Sequence, residues 1–268
     1  MTATTRLQGI DALEAMFQQA VEQDRAAFLP YFPIGYPDYD TSIEAIAAMA
    51  EVGVDGFEIG IPFSDPLADG PTNQAATQIA LENGTTVRSC LQAVKKLRER
   101  GITQPMMMMG YVNPLIAYGV EQFVVDAKAA GADGLIVPDL PPEEAHDFSE
   151  ICAREGMALV FFLAPTSNDK RIEMVTKSAT GFIYVVSLVG ITGVRRDLPP
   201  DVANVIQRIR AQTQTPLVMG FGISTPEHAR SMNGLVDGFI VGSALVRAGK
   251  EGVAPVRELT EALRKALD

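Results

Sequence analysis

The chain has 268 residues, 47% of them hydrophobic, with a formal net charge of −11 at pH 7, so it can bury the core of a single domain close to the roughly 250 residues of a (β/α)8 barrel. Its negative charge argues against nucleic acid or an anionic membrane surface as main partner, because both repel it. Cys90 and Cys152 have no metal or redox spacing, the start MTATTRLQG is not signal-like, and no apolar run is long enough to span a membrane; a soluble cytoplasmic protein is expected.

An apolar stripe of Ile10, Leu13, Met16, Phe17 and Val21 behind Asp11 and Glu14 predicts an N-terminal helix ending near Asp24. Residues 27–34, AFLPYFPI, read as a strand with prolines at its ends, followed by a turn and a helix over 41–51. In the stretch VDGFEIGIPFSDPLADGPTNQ at 54–74, Phe57, Ile59 and Ile61 alternate with Glu58 and Gly60, which sets the glutamate on the opposite face of a strand. Such a carboxylate is either paired with a cation or used chemically. Asp65 and Asp69 follow in a loop stiffened by Pro62, Pro66 and Pro71. Two acids, one on a strand and one on a loop, suggest acid and base chemistry; a buried ion pair for Glu58 and a plain Asp-Gly turn for Asp69 are the structural alternatives.

Helices are predicted over 72–81 and 87–100, then a strand over 105–111, whose four methionines read as core filling. Helix and strand then alternate: helices over 122–130, 143–155, 169–178, 201–212 and 226–233 lead to strands over 134–137, 158–163, 181–187, 216–220 and 238–241. The tripeptides at 54–56, 132–134 and 236–238 repeat Asp-Gly before an apolar residue, each opening a strand. Eight apolar strands with intervening helices predict a parallel sheet covered by helices, closed into a (β/α)8 TIM barrel with an extra N-terminal helix and spanning residues 1–268 as one domain.

In such a barrel the chemistry belongs at the C-terminal strand ends. Glycine-rich loops lie there at 190–193, 220–224 and 242–243, after the sixth, seventh and eighth strands. They are either a phosphate cradle of backbone amides or simple tight turns. All seven lysines read as helical, which argues against a Schiff-base aldolase, and His146 and His228 lack zinc spacing. A carboxylate-held magnesium has no motif, so no metal is expected.

EIGIPFSDPLADGPTNQ at 58–74, SLVGITG at 187–193, GFGIS at 220–224 and GSA at 242–244 together resemble the tryptophan synthase alpha subunit, in order and over nearly the whole chain. The resemblance implies a (β/α)8 barrel that cleaves indole-3-glycerol phosphate to indole and glyceraldehyde 3-phosphate without a cofactor. It also implies a pyridoxal-phosphate beta subunit as partner in an α2β2 heterotetramer. Glu58 and Asp69 fall at the catalytic positions, the first as proton shuttle and the second at the ring N–H. Tyr31, Tyr184, Gly193, Phe221, Gly222, Gly242 and Ser243 fall at substrate-binding positions. Tyr31 stands where the usual residue is phenylalanine, Leu188 and Val189 depart from a more polar pair, and the Tyr184 hydroxyl is expected to orient Glu58. Loops 64–70, 111–119 and 138–142 match segments that face the beta subunit, though as bare sequence they are proline-rich rim connections. Closure of loops 64–70 and 190–197 is expected to be linked to that partner. A sugar-phosphate isomerase or epimerase, a stand-alone indole-releasing lyase and a non-catalytic phosphate-binding subunit are the other functional readings.

Overall fold

The computed structural model describes residues 6–186, 200–220 and 222–268. Eight short apolar segments, β1 (Ala27–Pro33), β2 (Phe57–Gly60), β3 (Met106–Met109), β4 (Gly134–Ile136), β5 (Ala158–Leu163), β6 (Ile183–Val186), β7 (Leu217–Gly220) and β8 (Gly238–Val241), pair in parallel in chain order, and β8 returns to β1 to close a barrel. Both faces of each strand are covered, which is why the strands are nearly continuous apolar runs. The four methionines of β3 are buried, as their flexible side chains suit a crowded interior.

Twelve α-helices are described: α1 (Gly9–Glu22), α2 (Tyr39–Val52), α3 (Pro71–Glu82), α4 (Val87–Glu99), α5 (Val112–Tyr118), α6 (Val120–Ala130), α7 (His146–Glu155), α8 (Asp169–Ser178), α9 (Pro200–Arg210), α10 (Pro226–Arg230), α11 (Ser243–Gly249) and α12 (Val253–Lys265). The first, α1, caps the N-terminal end of the barrel. A side chain added at Gly56 would stand 2.8 Å from Met16 Sδ, one at Gly181 2.8 Å from Leu13 Cδ1, and one at Gly238 3.2 Å from Phe17 Cε1. Three strand-opening glycines therefore seat the apolar face of this helix.

The Asp-Gly repeat has a structural reason at the same end. Asp55 accepts a hydrogen bond from Phe28 N–H at 2.8 Å and returns its own N–H to Phe28 C=O at 3.0 Å. Asp133 does the same with Met106, at 2.9 Å in both directions, and Asp237 with Leu217, at 2.6 and 3.0 Å. Each carboxylate also holds an arginine: Arg25 with two bonds at 2.6 and 2.7 Å, Arg98 at 2.7 Å with Arg6 at 2.9 Å, and Arg210. β2, β4 and β8 are thereby fastened to their preceding neighbours by three reciprocal clamps.

The structure departs from the sequence expectation at four places. Residues 111–119 contain helix α5 rather than an open loop; Pro114 lies in its first turn, where a missing N–H breaks no helical bond. The helix expected over 143–155 is split into a 3-10 turn, Pro142–Glu144, and α7, with Ala145 between them. Pro33 ends β1 but Pro30 lies inside it, opposite Val241. Beyond β8 the helical turn at Ser243 is followed by α12, which lies along α2 with Arg257 bridging to Glu51 at 2.6 Å.

Candidate active site

The C-terminal end of the barrel encloses a cavity of about 700 Å³. Register brings Glu58 into it: Glu58 in β2 pairs with Tyr31 in β1 and Met107 in β3, while its neighbours Phe57 and Ile59 face the other way. Glu58 is 4% exposed and, among the described residues, has no arginine or lysine as ion-pair partner. Burial, and after it the charge of Asp69, push its carboxyl up to about 8.

Asp69 hangs over the strand ends from the β2–α3 loop, which is tightened by Asp69 N–H bonding Pro66 C=O at 3.0 Å. Tyr111 Oη–H donates to Asp69 Oδ2 at 2.8 Å, and Asn73 Nδ2 lies 3.4 Å from Oδ1. Burial raises the Asp69 carboxyl, and these two donors oppose that rise. Tyr111 is itself fixed: its oxygen accepts Ala68 N–H at 3.1 Å and its ring packs on Phe63 at 5.4 Å. Its phenol is raised by burial and then by the charge of Asp69.

Two tyrosines cross glycines at the barrel mouth. A side chain at Gly60 would stand 2.7 Å from Tyr31 Oη, and one at Gly220 would collide with the Tyr184 hydroxyl. Each ring thus lies over the last residue of the neighbouring strand, β2 for Tyr31 and β7 for Tyr184. The phenols of both are raised, first by burial and then by the charges of Glu58 and Asp69. No hydrogen bond from Tyr184 to Glu58 is formed among the described residues: the hydroxyl is laid across Gly220, and the nearby charge of Glu58 raises its phenol. Tyr184 also stacks on Phe162 with ring centroids 4.7 Å apart.

A glycine wall of the cavity is formed by Gly222, with φ +82°, and by Gly242 with Ser243, where β8 turns into the short helix α11. Glu58, Asp69, Tyr31, Tyr184, Gly222, Gly242 and Ser243 all line this one cavity. Gly193 and Phe221 lie outside the described residues, as do Leu188, Val189 and the loop at 190–197. Sequence reading missed Tyr111, Asn73 and Phe162. Tyr111 had a usable signal, since it closes the third predicted strand beside the acidic loop. No group of three or more His, Cys, Asp or Glu side chains among the described residues is arranged to hold a metal ion.

The family model described as "Tryptophan synthase alpha chain" matches residues 17–266. This chain belongs to that family. An alpha chain from Chloroflexus aggregans is 46% identical, covering 86% of each chain, and one from Geotalea daltonii is 42% identical, covering 95% of this chain and 98% of its own. Among solved structures, an open form of tryptophan synthase from M. tuberculosis superposes with a TM-score of 0.89 at 35% identity, covering 96% of this chain and 98% of that one. The alpha subunit from Legionella pneumophila gives 0.87 at 31% identity over 99% of both chains. Tryptophan synthase alpha chains are lyases that cleave indole-3-glycerol phosphate, and an alpha chain implies a beta-subunit partner. No helix of the described residues is long and apolar enough to cross a membrane.

Proposed function

We propose that Glu58 and Asp69 divide the cleavage of indole-3-glycerol phosphate in this chain, within one barrel domain spanning residues 1–268. The observation that carries this reading is a buried glutamate without a cation among the described residues, raised to about 8, in the same cavity as Asp69 and the glycine wall.

At neutral pH Glu58 starts protonated and gives its proton to C3 of the indole ring. The ring becomes an iminium cation at its nitrogen, and the Asp69 carboxylate accepts the ring N–H and stabilises that charge. The Glu58 carboxylate then takes the proton of the hydroxyl on the carbon attached to C3. That carbon becomes an aldehyde, the carbon–carbon bond breaks, and its electrons restore the aromatic ring. Indole and glyceraldehyde 3-phosphate are released and Glu58 is protonated again, so the chemistry closes without a cofactor in this chain. Gly222, Gly242 and Ser243, with Gly193 and Phe221 by resemblance, hold the phosphate end through backbone amides, with no lysine among the described residues that line the cavity. Tyr31 and Tyr184 flank the ring.

The partner is a beta subunit carrying pyridoxal phosphate, in an α2β2 assembly, which receives the indole in the cytoplasm. The rim elements that face it are the 64–70 loop, α5 and residues 138–142. The deciding experiment is indole release from indole-3-glycerol phosphate by the purified chain, with and without a beta subunit, beside Glu58→Gln. Release that rises with the beta subunit and disappears in the variant is expected. No release from the folded wild-type protein in either condition would overturn the reading.

A further inference from the structure

Two residues of β2 share the face that looks into the barrel, Glu58 and, two positions further on, Gly60. Gly60 has no side chain, and its space is filled from the neighbouring strand. Tyr31, paired in register with Glu58, lays its ring there, so that a side chain added at Gly60 would stand 2.7 Å from Oη and 2.9 Å from Cε2. The base of the same ring stands against Gly242, where an added side chain would be 3.3 Å from Cδ1 and 3.5 Å from Cβ. Tyr31 thus spans the mouth from β8 to β2 and lines the cavity. Asp69 comes back over the strand ends from the loop after Gly60, so the phenol oxygen lies past Glu58 and before Asp69. The charges that raise this phenol agree with that placement, since after burial Asp69 acts most strongly and Glu58 next. No hydrogen bond among the described residues acts on it.

In the proposed reaction Asp69 takes the ring N–H and Glu58 works at C3. One ring atom, C2, separates these two positions on the side away from the fused benzene ring. A ring that meets both acids therefore presents C2 to the stretch of wall between them, and that stretch is the tip of Tyr31. We propose that Tyr31 is a specificity determinant whose hydroxyl stands against C2 of the bound indole ring and excludes rings that carry a substituent there. The assignment rests on the reaction proposed above, which sets the orientation of the ring. A methyl group at C2 would need the space that the oxygen fills, and pressing on it would shut a polar atom away from any donor or acceptor. The cost is steric and polar together, and it selects by repulsion.

The test sets wild type and Tyr31→Phe, each in the complex with the beta subunit, against two ligands: 3-(indol-3-yl)propyl phosphate and 3-(2-methylindol-3-yl)propyl phosphate. The substitution removes the oxygen alone and breaks no hydrogen bond among the described residues. Neither ligand can be cleaved, so calorimetric titration reads their dissociation constants apart from the chemistry. Wild type should bind the 2-methyl ligand at least about tenfold more weakly than its parent, as one carbon can decide in a closely fitted pocket. In Tyr31→Phe that ratio should fall to about threefold or less. A ratio near one in wild type would overturn the assignment. So would a ratio unchanged by the substitution, which would place the stop elsewhere in the wall. A variant that binds neither ligand would overturn it too, because the hydroxyl would then hold the ring and not limit it. Indole release from indole-3-glycerol phosphate by the wild-type complex checks the reaction separately. No release, whether or not the parent ligand binds, would overturn that reading and the ring orientation with it.

Discussion

The two ends of the barrel treat buried carboxylates in opposite ways. At the N-terminal end Asp55, Asp133 and Asp237 each hold an arginine and a backbone N–H of the neighbouring strand. Asp133 alone accepts five hydrogen bonds from four groups and has no exposed surface. At the C-terminal end Glu58 and Asp69 have no cation as ion-pair partner among the described residues; Asp69 has two uncharged donors, and both carboxyls are raised. A satisfied carboxylate fixes a strand, whereas Glu58, buried without a counter-charge and raised to about 8, keeps a proton near neutral pH and can move it. The difference between scaffold and chemistry thus lies in the partners of the acid, since the residue types are nearly the same.

The largest effect expected from that contrast is at Glu58. Glu58→Gln keeps the shape and removes the transferable proton, so kcat for indole release should fall by on the order of 10³ or more, about 4 kcal/mol of barrier. Binding of 3-(indol-3-yl)propyl phosphate, which keeps ring and phosphate but cannot be cleaved, should persist. Asp69→Asn removes the charge facing the ring nitrogen and should lower kcat by on the order of 10². Near wild-type turnover in either variant, with the beta subunit present, would remove that residue from the mechanism.

At the other end the same isosteric change should spare chemistry and damage the fold. Asp133→Asn leaves Arg98 and Arg6 without their counter-charge, and Arg98 is already lowered to about 10, by burial first and against the opposing charge of Asp133. Breaking such a buried pair should lower unfolding free energy by about 4 kcal/mol. Denaturant titration measures this, and kcat at a temperature where the variant is folded should be unchanged. A stable variant with impaired cleavage would break the division between the two ends.

This division was only half legible in the sequence. The alternation of apolar strands and helices carried the barrel, because covered parallel strands leave a nearly continuous apolar signature. The Asp-Gly repeat marked three strand starts, but its clamps join residues 20 to 27 positions apart, which local pattern does not reveal. Glu58 was legible as a polar residue on an apolar strand. Asn73 was not, and Tyr111 was visible only as the residue closing the third predicted strand, since their bonds to Asp69 come from a loop folding back over the mouth. The helix at 112–118 was hidden by a proline that is harmless in a first turn.

The next expectation separates the same residue's two effects. The folded-state carboxyl of Glu58 lies at about 8 against an ordinary value of 4.5, so the folded protein keeps a proton that the unfolded chain releases. Its contribution to stability is therefore intact below pH 4.5 and is lost as pH rises to about 8. Glu58→Gln, which carries no proton to lose, should match wild type in stability at the acid end of this window. By pH 7 it should be more stable by about 3 kcal/mol. Wild-type kcat/KM should also decline as pH rises through about 8, where Glu58 loses its acid form. A stability difference that is flat across this window would mean that Glu58 is not held protonated by its burial.

The smallest effect is expected at Tyr111, which stands between the two treatments: an uncharged donor that partly satisfies an acid of the mouth. Tyr111→Phe removes the 2.8 Å bond to Asp69 Oδ2 and the acceptor of Ala68 N–H, while the ring can still pack on Phe63. Loss of one hydrogen bond to a charged group should lower kcat/KM by about tenfold, or about 1.4 kcal/mol. The direction of the pH effect distinguishes this from a packing defect. Tyr111 opposes the upward shift of Asp69, so without it the Asp69 carboxyl rises further and the acid limb of kcat/KM moves to higher pH. A loss of activity with an unmoved acid limb would make Tyr111 a support for the loop alone, and Asp69 would then owe its charge to Asn73 and to the ring it receives.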